Sequence, residues 1–182
     1  MAELVIASPV GAGVKAAIEC VGCGGLVPDV DGPIHRYMTA SPGCWQTYTE
    51  LMAGGLPPSP ESGLAVDAYA VTHPGVAGPQ STPSVWIHLV TLCCTLERGW
   101  PVDRAVFLRR MAADSFRSWP WLDRPDRMGD VTAIDVSAAL QAGDGAAAAD
   151  LTHRWVHDAW TAWENHHRAV RARAKELVAK LG

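Results

Sequence analysis

The sequence predicts a mainly α-helical protein, a helical bundle preceded by a loop region crowded with metal-ligand side chains. Two observations predict it. From residue 44 onward, apolar runs of helical length alternate with helix-opening and helix-closing residues. Residues 20–44, in contrast, concentrate glycines, prolines and thiols in a stretch with little apolar material to bury beyond Leu26, Val27, Val30 and Ile34. At 182 residues, 48% of them hydrophobic and 19% charged, the chain has enough apolar surface for one core without disulfides. Residues 1–19 read as a lead-in with weak strand character at 4–7, and residues 20–182 as a single helical domain.

The elements follow in order. "CWQTYTELMAGG" reads as a short helix that ends at the Gly54, Gly55 pair. "GLAVDAYAVTHPG" is a second helix that must close near His73, because the residue before a proline is pushed out of the helical region. Ser81, with Pro83 in the first turn, opens "STPSVWIHLVTLCCTLERG", and Gly99 closes it. "PVDRAVFLRRMAADSF" follows at once and predicts an antiparallel partner. The tryptophan-rich "WPWLDRPDRMGDVTAIDV" reads as an irregular crossover with one short strand at 131–134, and "VSAALQAG" as a helical turn or two. The longest helix is expected from about residue 146 to about residue 181.

The loop region carries the sharpest chemical signal. Cys20 and Cys23 form a CxxCG knuckle, whose spacing turns both sulfurs toward one point while glycine lets the chain curl beneath them. His35 and Cys44 complete a set of three thiolates and one imidazole, of the kind zinc prefers. The all-cysteine ligation common at iron–sulfur centres is lacking. His35 is the weakest member: it could point into a pocket instead, leaving an open position or a place for a histidine from a helix. The fold class is therefore a helical bundle with an N-terminal zinc-binding loop region at 20–44. Cys93 and Cys94, inside an apolar run, read as small hydrophobes.

A second constellation lies on the helices. Ser84, His88, Thr91 and Thr95 form one polar seam on an otherwise apolar helix. Asp67 sits mid-helix among apolar neighbours, where a carboxylate needs a partner, and His88, His166 and His167 are its candidates. Helical projection turns His166 and His167 inward. With Asp67, His73 and His88 they could form a pocket that holds a second metal, or presents an imidazole as a general base oriented by a carboxylate. The opposing expectation is that each histidine is satisfied singly in the core. His153 and His157 are spaced i, i+4 like a metal-binding pair, but they face water and have no third partner in the sequence. The tryptophans read first as core bulk and second as walls for an aromatic pocket.

A net charge of −4 gives no global field for nucleic acid or anionic membrane, and the loop region carries only Arg36 against Asp29 and Asp31. No apolar stretch is long enough to span a bilayer, and the N-terminal residues lack the basic start of a secretory signal, so a cytoplasmic location is expected. Phosphate-loop, GxSxG and HExxH motifs are absent.

Taken together, "CVGCGG", "DGPIHRYMTASPGCW", "VDAYAVTHPG", "SVWIHLVTLCCTLERG" and "AWTAWENHH" resemble a bacterial family catalogued as a domain of unknown function, number 5946, from Cys20 to about Arg171. The resemblance implies that Cys20, Cys23, His35, Cys44, Asp67, Tyr69, His73, His88, His166 and His167 are the positions that matter, and it implies no reaction. His153 and His157 are not part of that pattern. The expected function is a zinc-binding protein acting on a small molecule as a metal-assisted or acid–base enzyme of hydrolase or lyase type. Its alternative is a non-catalytic, zinc-stabilised module that binds a ligand or a protein.

Overall fold

Seven α-helices form among the described residues: α1 Pro42–Gly54, α2 Ala65–Thr72, α3 Ser81–Leu92, α4 Val102–Ser115, α5 Ala133–Gln141, α6 Gly145–Ala162 and α7 His167–Lys180. This computed structural model describes residues 16–115 and 119–180, so the strand expected at 4–7 lies outside the described part. Among the described residues no helix is long and apolar enough to cross a membrane.

Helix α2 is the hub. "AVDAYAVT" is apolar nearly all round, and a helix of that kind belongs inside a fold rather than on its surface. Every residue of α2 except Val66 is buried, and it packs against α3 on one side and α6 on the other. Helices α5 and α6 pair closely, α1 leans on α5, and α4 and α7 flank α3. Leu64, Leu89, Val90, Leu108, Trp155, Val156 and Leu177 fill the space between them.

The structure corrects three boundaries. Residues 20–44 are not all loop: β1 Ala17–Glu19 and β2 Leu26–Pro28 pair antiparallel with Ile18 opposite Val27, and α1 already begins at Pro42. The strand expected at 131–134 is replaced by a helix start, because Thr132 and Asp135 form a capping box that is more favourable there than an unpaired strand. Asp135 Oδ2 accepts from the Thr132 amide at 2.8 Å, and Thr132 Oγ1 accepts from the Ile134 amide at 3.2 Å. The single long last helix is broken at Trp163, where α6 gives way to a 3-10 turn over Glu164–His166. The helix opened at Ser81 does close at Gly99, at φ +64°, with its last stretch over Cys93–Glu97 wound as a π-helical turn.

The break at Trp163 has a local cause. Its indole is fully buried and its Nε1 donates to the Val71 carbonyl of α2 at 3.1 Å, so the side chain is anchored across the core while the backbone tightens around it. Below it, Arg171 of α7 makes a two-pronged hydrogen bond to Glu97, at 2.7 Å through both Nε and Nη2, fixing α7 against the end of the π turn. That contact holds the Glu97 carboxyl below its ordinary value.

Trp163→Phe keeps most of the ring but leaves the Val71 carbonyl without its donor. A loss of about 1–3 kcal/mol is expected, read as a lower urea midpoint at an unchanged m-value.

Candidate metal centre

Three chain segments meet beneath the β-hairpin. The turn between β1 and β2 carries Cys20 and Cys23, the first turn of α1 carries Cys44, and the residue that caps the C-terminus of α2 is His73. Cys44 Sγ lies 3.3 Å from His73 Nε2, Cys20 Sγ lies 3.7 Å from the same nitrogen, and Cys23 Sγ lies 3.9 Å from Cys44 Sγ. The sulfurs are far beyond the roughly 2.05 Å of a disulfide, and all are free thiols. The four donor atoms form a Cys3His cluster that could hold a metal ion.

Each donor is aimed by its surroundings. In the knuckle, the Cys20 amide donates to Gly25 O and the Gly24 amide to Cys20 O, both at 2.9 Å, with Gly24 at φ +78° where a side chain would be strained. The amides of Gly22 and Ser41 point at Cys20 Sγ from 3.4 and 3.5 Å. Cys44 sits in the first turn of α1, and the Tyr69 hydroxyl donates to its sulfur at 3.7 Å. His73 Nδ1–H donates to the Tyr69 carbonyl at 2.8 Å, which leaves Nε2 as the nitrogen facing the sulfurs. Tyr69 stacks on the His73 ring at 4.0 Å, and Tyr48 on Tyr69 at 3.7 Å. Arg124 closes the outside of the knuckle by donating to the carbonyls of Val21, at 3.0 Å, and Gly22.

Cys20, Cys44 and His73 are buried, and Cys23 is partly exposed. Three thiols this close cannot all ionise independently. Hydrogen bonding from Cys23 and Cys44 draws the Cys20 thiol well down, while hydrogen bonding with Cys20 and Cys23, and then burial, pushes Cys44 well up. Burial works against a charge on His73, yet the adjacent Cys20 and Cys23 sulfurs raise it to about 9. Burial, then Cys44, drives the Tyr69 hydroxyl up as well, so it stays a donor.

The fourth corner is thus occupied by His73, and the structure places His35 elsewhere. The His35 ring packs edge-on to Tyr37 at 4.5 Å and tilts against Trp45 at 5.0 Å. The local spacing made His35 the nearest imidazole in the chain. The His73–Pro74 end of α2 is the nearest in space, because the core drives α2 under the hairpin.

The other expected site residues do not converge on one pocket. Asp67, fully buried, accepts from His88 Nδ1 at 2.8 Å, with Arg109 Nε 3.6 Å from the same oxygen. Arg109 also reaches the Gly63 carbonyl at 3.3 Å, while Asp67 Oδ2 has no hydrogen-bond partner among the described residues. Burial and the Asp67 charge push the Tyr48 hydroxyl up to about 12. His166 Nε2 bonds to the Asp123 carbonyl at 2.9 Å. His167 lies flat on Trp160 at 3.7 Å, and its Nε2 bonds to the Trp160 carbonyl at 3.0 Å. The 3-10 turn after Trp163 interrupts the helix at this point, and the two imidazoles take separate partners instead of one pocket. His153 and His157, in contrast, meet Glu61. Burial, then the charge of His153, holds His157 below its ordinary value.

A family profile matches residues 18–164. The chain belongs to this family of unknown function, DUF5946. The matched span contains all four members of the Cys3His cluster together with Asp67 and His88, whereas His166 and His167 lie past its end. No curated protein and no solved structure matches the chain.

Gly22 is the tightest point of this DUF5946 centre. A methyl there would sit 2.2 Å from both His73 Cδ2 and the Thr39 carbonyl. Gly22→Ala is therefore expected to weaken metal affinity by about 10-fold or more, measured by competition with a chromophoric chelator, while far-UV circular dichroism keeps its helical signal.

Proposed function

We propose that this protein binds zinc at Cys20, Cys23, Cys44 and His73, and that the zinc is a structural staple between the N-terminal hairpin and the helical body. The observation that carries the reading is the donor spacing. Tetrahedral zinc, with bonds near 2.3 Å to sulfur and 2.0–2.1 Å to nitrogen, sets sulfur–sulfur edges of about 3.8 Å and sulfur–nitrogen edges of about 3.6 Å. The separations of 3.9, 3.7 and 3.3 Å bracket those edges. Three thiolates with one imidazole suit zinc over the harder cations, and a reducing cytoplasmic setting would keep the thiols available.

With four protein donors, the ion has no vacant position for a substrate, and its role is to hold chain segments together. Such a centre supplies about 10–16 kcal/mol in small zinc domains, enough to order a hairpin of two three-residue strands that has little apolar surface of its own. The functional class this supports is a zinc-stabilised helical module, with any ligand, most simply a small molecule, bound away from the zinc. The acidic character of the loop speaks against nucleic acid.

The hydrolase or lyase reading stands second, and one contact favours it: buried Asp67 orients His88, as a carboxylate orients a general base. It ranks lower because His73, His166 and His167 are each committed to separate partners.

Elemental analysis of freshly purified, reduced protein tests the first reading. One zinc per chain is expected in the wild type and in His35→Ala, and its loss in Cys20→Ser and His73→Ala. Retention in His73→Ala, or loss in His35→Ala, would reject this ligand set.

A further inference from the structure

Glu61 stands at the start of the 3-10 turn that leads into α2, and His153 and His157 occupy successive turns of α6. The packing of that 3-10 turn on α6 brings the three together. His153 Nδ1 is 3.1 Å from Glu61 Oε1, and the two imidazole rings are 4.3 Å apart, tilted by 39°. One donor atom from each of the three residues falls within 4.8 Å of the other two. Glu61 is largely covered, with its side chain 17% exposed, while His153 is 50% exposed.

The structure assigns Glu61, His153 and His157 as an open, three-ligand site for a divalent transition-metal ion, separate from the Cys3His centre. Two imidazoles and one carboxylate are a donor set for first-row metals such as zinc, cobalt or iron(II), and not one that selects calcium or magnesium. Histidines at i and i+4 present their rings on one face of a helix, which is the bite a single ion requires. The His153–Glu61 separation already matches neighbouring donors on one ion with bonds of about 2.0–2.2 Å. The wider limit of the set closes by rotating the exposed His153 and His157 side chains, at little packing cost.

The site borders a cavity. Glu61 and His157 line a recess of about 560 Å³ whose other walls include Leu64, Leu96, Trp100 and Val102, with Asp103 at its edge. A recess of that size with apolar walls and a few polar groups is the usual form of a small-molecule site. Three protein ligands leave at least one coordination position for water or for an oxygen or nitrogen donor of a ligand seated there. This arrangement places an exchangeable metal beside a ligand-sized space.

Cobalt separates the two centres, because thiolate ligation gives intense near-ultraviolet charge-transfer bands and a nitrogen–oxygen site gives only weak visible bands. Full-length protein, stripped of metal and titrated with Co2+ under reducing conditions, is expected to bind two equivalents, only one of them with thiolate bands. His153→Ala/His157→Ala should lose the thiolate-free equivalent and keep the other, and Glu61→Gln should weaken it by about 10-fold or more. All three substitutions fall on side chains that are partly or well exposed, so folding is checked by the surviving thiolate bands. Wild-type protein that binds only the thiolate-held equivalent would overturn the assignment. So would a thiolate-free equivalent that persists unchanged in the double variant.

Discussion

The structure depends on the convergence of three sulfurs and one imidazole nitrogen at a single buried point. Brought that close without a counter-charge, thiolates repel one another, and protons must be shared among them. That is the physical content of the opposed displacements of the Cys20 and Cys44 thiols. A cation bound there, as proposed above, would remove the conflict. Structural zinc supplies about 10–16 kcal/mol in small zinc domains, as much as the whole net stability of an ordinary domain, about 5–15 kcal/mol. The hairpin, the start of α1 and the end of α2 therefore form one unit.

Helix α2 links that unit to the rest of the protein. The residue that caps its C-terminus, His73, is the imidazole of the Cys3His cluster, while two turns earlier Asp67 is paired with His88 and Arg109. Between them lies the stack of Tyr48 on Tyr69 on His73. The Tyr69 hydroxyl touches the cysteine cluster, and Tyr48 feels the Asp67 charge. A helix this buried tolerates polar residues only where each has a partner of opposite character, and both of its polar commitments meet that requirement. Displacing α2 would disturb the metal centre and the ion pair together.

Much of this was legible in the chain, and the misreadings are instructive. The CxxCG knuckle and Cys44 announced themselves because soft ligands clustered in an otherwise unanchored loop. Asp67 was marked by its apolar neighbours, and His88 was one of three imidazoles offered to it. His35 was misleading because sequence proximity stands in poorly for spatial proximity once a core helix can approach from outside the loop. His166 and His167 share no pocket with Asp67, because each closes on a nearby partner, the Asp123 carbonyl for one and Trp160 for the other. Glu61 gave no signal at all: a lone acidic residue in "PPSPESG" is ordinary, and only the packing of its turn on α6 gives it meaning.

By itself the sequence determined the kinds of interaction available: helices bounded by proline and glycine, a loop region rich in metal-ligand side chains, and a buried acid that needs a base. These are local properties of composition, spacing and periodicity, so they survive without a fold. Tertiary structure alone decided which donors meet, putting His73 in the fourth corner, setting His35 against Trp45, and uniting Glu61 with His153 and His157. Partner choice is made by the packing of whole helices, whose burial outweighs any one pairwise contact, and that outcome is written in no single segment of the chain.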